Sequence, residues 1–104
     1  MRRPQIVEQI QRTIHQADPT AITILYGSEA RGDARPDSDI DLLILLSGSQ
    51  RDPHREDEIA GLLYDIELNS GIIISPKIML RQQWENRPFK TPFYINVMNE
   101  GIRL

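Results

Sequence analysis

Between residues 4 and 17 the apolar positions Ile6, Val7, Ile10 and Ile14 recur at helical spacing with Gln, Glu and Arg between them, which predicts an amphipathic helix. Pro4 suits its first turn, and Asp18-Pro19 breaks it. Residues 20–26 follow as a β-rich, mostly apolar run ending at Gly27, and residues 28–32 read as a short helix. A charged loop containing Gly32 and Pro36 leads to residues 40–46, whose near-continuous apolar character predicts a strand buried on both faces. Asp52-Pro53 supplies a cap and first position for a helix striped by Ile59, Leu62, Leu63 and Ile66 through about residue 68, with Asn69-Ser70-Gly71 as its stop. Residues 72–80 read as a third strand, where Ser75-Pro76 implies a bulge or an edge position, because proline cannot donate to a ladder. Trp84 lies in a short helical or turn segment. A last helix opens at Thr91-Pro92, buries Phe93, Tyr94 and Val97, and is capped by Gly101. Alternating helices and strands of this kind predict an α/β fold, a small sheet flanked by helices.

Composition narrows what such a domain does. At 104 residues the expectation is one domain with one core. The net charge of −3 leaves no basic footprint, which argues against a genomic DNA substrate. Cysteine is absent, so thiol chemistry and thiolate metal sites are excluded. No leader-like apolar run opens the chain and no stretch approaches a membrane span, which predicts a cytoplasmic protein without a membrane partner.

Candidate chemistry concentrates in residues 27–41, GSEARGDARPDSDID. Gly27 and Ser28 sit at a strand-to-helix turn, where backbone N–H groups and a hydroxyl can meet phosphate oxygens. Asp39 and Asp41 alternate at the start of the second strand, so they project together while Ile40 packs behind them, and two convergent carboxylates suit Mg²⁺. Arg31 and Arg35 are guanidinium candidates for a phosphate tail, Arg31 ranking first, although either could pair on the surface with Glu29, Asp33 or Asp37. His15 and His54 have no ligand-spaced partners and read as surface residues. The charged run Arg55-Glu56-Asp57-Glu58 reads as a solvated helix face with its acids near the positive end of the helix dipole. Trp84, Phe89, Phe93 and Tyr94 read as a cover for the sheet whose exposed remainder would be a partner-docking patch.

Gly27-Ser28, ten residues, then Asp39 and Asp41, with Arg31-Gly32 and Ser38-Asp39-Ile40-Asp41-Leu42 around them, resembles the nucleotidyltransferase superfamily that includes DNA polymerase beta, and within it the minimal (MNT-type) members. Glu100-Gly101-Ile102 also resembles the small members. The resemblance implies the polymerase beta-like fold, a nucleoside triphosphate substrate, usually ATP, and Mg²⁺ held by Asp39 and Asp41 as catalytic residues. Gly27, Ser28 and Arg31 would then bind the nucleotide. It further implies transfer of a nucleotidyl group to a hydroxyl. Many minimal members act beside a HEPN-domain toxin as its antitoxin, some by placing AMP on a tyrosine of that toxin. One element of the pattern is missing. Members with full two-metal activity usually carry a third carboxylate on the next core strand, and residues 72–77 contain no acid. Asp65 or Glu67 could replace it only if the end of the preceding helix were strand. Two functions therefore stand side by side: an AMP-transferring enzyme, and a catalytically weak nucleotide- or partner-binding module of a toxin–antitoxin pair.

Overall fold

Strand β2 (Ile40–Leu46) runs through the middle of the molecule, and every residue from Leu42 to Leu46 is buried. In a computed structural model, which describes residues 1–104, it lies between β1 (Ile22–Tyr26) and β3 (Ile74–Leu80), with a two-residue β4 (Ile102–Arg103) on the far side of β1. The sheet order is β3-β2-β1-β4. β1 runs antiparallel to both β2 and β4, and β2 runs parallel to β3, so the sheet is mixed. Helices α1 (Pro4–Ala17), α2 (Gly27–Arg31), α3 (Pro53–Ser70), α4 (Arg81–Glu85) and α5 (Pro92–Glu100) complete the α/β architecture.

Side-chain alternation divides β2 between two layers. Ile40, Leu42, Ile44 and Leu46 join Val7, Ile10 and Ile14 of α1 and Ile59, Leu63 and Ile66 of α3 in the larger core. Leu43 and Leu45 point the other way, onto Trp84 of α4 and Val97 of α5, with Ile22, Ile24, Phe93 and Tyr94 packed around them. Asp41 shares this second face. Burial on both sides explains why β2 has no polar position after Asp41.

The two helices α3 and α5 begin on side-chain caps, whereas α1, α2 and α4 have none. Asp52 Oδ1 accepts from the His54 and Arg55 amides at the start of α3, and Thr91 Oγ1 accepts from the Tyr94 amide at the start of α5. α1 has no such cap of its own; the carboxylate of Glu29, on α2, accepts from the Arg2 and Arg3 amides instead. α3 runs on through Asn69 and Ser70 and ends where Gly71, in the left-handed region, caps it, within the expected stop. Asp65 and Glu67 are therefore helical, and neither is the missing strand carboxylate. Glu67 accepts from the Ile74 amide at 2.9 Å, tying the end of α3 to the start of β3.

β3 is an edge strand whose register against β2 is continuous from Ile74 to Leu80, so Pro76 is accommodated by edge position and not by a bulge. Residues 72 and 73 precede the strand, although the Ile73 carbonyl accepts from the Ile40 amide at 2.9 Å. Gly101 lets the chain leave α5 and reach β1, since a side chain there would run into Ile24. No helix is long and apolar enough to cross a membrane.

Candidate active site

Because β1 and β2 are antiparallel with Tyr26 opposite Asp41, the turn after β1 and the first residues of β2 meet at one end of the sheet. Gly27 occupies the left-handed region, φ 74°, which a glycine enters without steric cost. A second constraint acts on the same atom. A Cβ at Gly27 would overlap Oδ2 of Asp41, so the carboxylate lies against the turn itself. The Gly-Ser turn and the second aspartate are thus contiguous in space.

Asp39 and Asp41 lie beside each other on one side of Ile40, whose own side chain is fully buried in the larger core. Asp39 is exposed and Asp41 half-buried. Burial, followed by the negative charge of Asp39, pushes the Asp41 carboxyl above its ordinary value; Glu100 pushes the same way and Arg31 opposes both. Burial and the Asp41 charge likewise raise the Tyr26 phenol. The site therefore holds more negative charge than its own cations offset.

Two residues not singled out as site candidates stand in this group. Ser75, paired with Asp41 in the β2–β3 register, donates its hydroxyl to Asp39 Oδ2 at 3.1 Å and takes the place on β3 where an acid was sought. Glu100, at the end of α5, accepts from the Gly27 amide at 3.1 Å through Oε1 and from Arg31 Nη1 at 3.0 Å through Oε2. Two of the residues assigned to phosphate in the sequence, Gly27 and Arg31, are thus held by one carboxylate from 73 and 69 residues away. Arg31 also contacts Asp33 at 3.3 Å.

Other candidates lie elsewhere. The Arg35 side chain forms no ion pair, although its amide donates to Ser38 Oγ at 2.9 Å. Glu29 is fully buried and paired with Arg3 at 2.6 Å, so it is not a surface partner of either arginine. His15 and His54 are exposed. Trp84, Phe93 and Tyr94 pack on the sheet with Tyr26, and Lys77 Nζ sits 4.3 Å over the Phe93 ring; Phe89, 77% exposed, stays outside the cluster.

The sequence model of the family described as "Polymerase beta, Nucleotidyltransferase" matches residues 8–103, nearly the whole chain, with Gly27, Ser28, Asp39, Asp41, Ser75 and Glu100 all inside the match. The chain belongs to that family. No curated protein matches it. Membership in the polymerase beta nucleotidyltransferase family brings a nucleotide substrate and, in general, a divalent metal ion. The donor set fits such an ion: two carboxylates on one face, with Asp41 pushed up first by burial and then by the Asp39 charge. No third acid or histidine joins them as a potential ligand cluster. Mg²⁺ tolerates that, because it keeps several waters and takes substrate phosphates as ligands beside one or two carboxylates.

Proposed function

We propose that the chain is a minimal nucleotidyltransferase that transfers AMP from ATP to a hydroxyl acceptor, with Asp39 and Asp41 holding Mg²⁺ and with Gly27, Ser28 and Arg31 binding the triphosphate. The observation that supports this reading best is the contact between Asp41 and the Gly27 turn. The acceptor we would test first is a tyrosine of a HEPN-type toxin partner, the chain being its cytoplasmic antitoxin.

The chemistry assigned to each residue is specific. The Ser28 hydroxyl donates to a phosphate oxygen. Arg31, once released by Glu100, offers its guanidinium fork to the leaving pyrophosphate portion. Asp39, oriented by the Ser75 hydroxyl, and Asp41, seated against Gly27, would hold the cation. Bound there, Mg²⁺ would offset the charge that develops on the phosphates as the acceptor oxygen bonds to the α-phosphorus and the bond to pyrophosphate breaks.

Calorimetric titration of ATP with Mg²⁺, repeated without metal and with Asp39→Ala/Asp41→Ala, tests the proposal. Metal-dependent binding that is lost in the double variant is the expected result. Binding that ignores both changes would overturn it.

A second reading, a catalytically weak partner-binding module, draws on Ser75 standing where an acid was sought and on Glu100 holding Gly27 and Arg31. It predicts that the double variant still neutralises the partner in cells, an effect the enzyme reading forbids.

A further inference from the structure

A cavity of about 350 Å³ opens at the same end of the molecule as the aspartates but on the other side of the sheet. Its wall is made by Arg2, Arg3, Ala34, Arg35, Pro36 and Ile72. Ile72 packs on the α1–α3 core, whereas Asp41 belongs to the face that carries Leu43 and Leu45. The loop joining Gly32 to Asp39 separates the two sites. The cavity is therefore not the nucleotide turn seen from another angle.

Its electrostatics are unbalanced. Arg2, Arg3 and Arg35 line one small space, and the carboxylate that pairs with a side chain among them, Glu29, holds that of Arg3 alone. Glu29 is already saturated: it accepts from the Arg2 amide, the Arg3 amide and Arg3 Nε. Arg2 uses its Nε on the Gly32 carbonyl at 2.9 Å, and neither Arg2 nor Arg35 forms an ion pair. Nη1 and Nη2 of Arg3 are shielded from solvent and bond nothing. A charged group with four N–H donors lacking both water and a protein acceptor is a costly arrangement, and native structures rarely leave such donors unmet.

We propose that this cavity is a second anion site, built for a phosphate monoester and distinct from the triphosphate site. The charges decide the ligand class. Three arginines against one carboxylate leave two positive charges, which a phosphate dianion neutralises and a single carboxylate does not. Arg2 and Arg35, neither of them in an ion pair, offer guanidinium nitrogens to the oxygens of a phosphate. Ala34, Pro36 and Ile72 supply an apolar seat for the group that carries the phosphate. The volume lies at the lower end of small-molecule sites, which span roughly 300–1,000 Å³, so the ligand is compact. Bound there, it contacts the loop that delivers Asp39.

Titration of inorganic phosphate and, separately, of AMP, followed by amide NMR of the intact chain, tests this. Saturable shifts are expected at Arg3, Arg35 and Ile72, and Arg35→Gln and Arg2→Gln should each weaken binding about tenfold, the value of one lost charge-assisted contact. Arg35 is exposed and unpaired, so its variant should fold. AMP binding more tightly than phosphate at the same amides would identify a nucleotide monoester as the ligand; equal affinity would identify the free oxyanion. Asp39→Ala/Asp41→Ala should leave these shifts intact, so the proposal survives failure of the transferase reading. Shifts confined to the Gly27–Arg31 turn, no saturation, or unchanged affinity in both arginine variants would overturn it.

Discussion

Gly27 meets two demands at once, a left-handed backbone and the absence of any atom where Asp41 lies. Gly27→Ala is expected to cost roughly 1–3 kcal/mol in urea unfolding and to abolish nucleotide binding, because the turn and the carboxylate cannot both keep their places. Asp41 is a case of stability yielding to function. Its folded pKa is raised, so its stabilising contribution is complete below the unfolded value of about 3.9 and is lost as pH rises through the folded value. Asp41→Asn should therefore raise the melting temperature at pH 7, by no more than about 0.5 kcal/mol of stability because solvent screens this half-buried carboxylate, while removing nucleotide binding. Melts near pH 3 should show no such gain. A loss of stability at pH 7 would mean the carboxylate serves the fold. At this scale the sequence was informative: alternation alone puts Asp39 and Asp41 on one side of Ile40. Ser75 and Glu100 were not legible as site residues. Ser75 reaches Asp39 through strand register, and Glu100 reaches Gly27 through the whole course of the chain.

Among the elements, α1 shows how a tertiary contact replaces a local cap. Burial alone would raise the Glu29 carboxyl, but the Arg3 side chain, with the Arg3 and Arg2 amides, more than offsets it and holds it below its usual value. With a depressed folded pKa, the contribution is present above the unfolded value and lost as pH falls through the folded one. Glu29→Ala should cost about 3 kcal/mol at pH 7, since it strands the Arg3 charge and two amides together, and the deficit should shrink in acid. A change below about 0.5 kcal/mol in denaturant unfolding would refute this account. Sequence reading located α1, β1, β2 and α3 because each shows its own period or apolar run. It overextended the start of β3, since residues 72 and 73 are as apolar as the strand but lie before the point where β2 offers a full partner. It missed β4 because two residues carry no alternation to read.

At the level of the whole molecule, β2 serves both layers, so damage to it spreads. Ile44, fully buried between α1, α3 and the strand's neighbours, should cost about 2–5 kcal/mol when truncated to alanine. Native-state hydrogen exchange should find the β2 amides opening only with global unfolding. Those of α5 and β4 should open locally, because β4 adds only two residues of pairing to β1, with the Leu104 amide donating to the Thr23 carbonyl beyond them. Equal protection of β2 and α5 would contradict this division.

The bond between Gly27 and Glu100 also has a consequence in time. A ribosome adding about 5–20 residues each second delivers Glu100 roughly 4–15 s after Gly27. Throughout that interval the nascent chain has its aspartates and its turn but not the carboxylate that holds the Gly27 amide and Arg31, nor the strand that covers the β1 edge. Maturation of this site thus waits on the last part of the fold to be synthesised, and a message cut short before α5 would yield a chain whose turn is never closed.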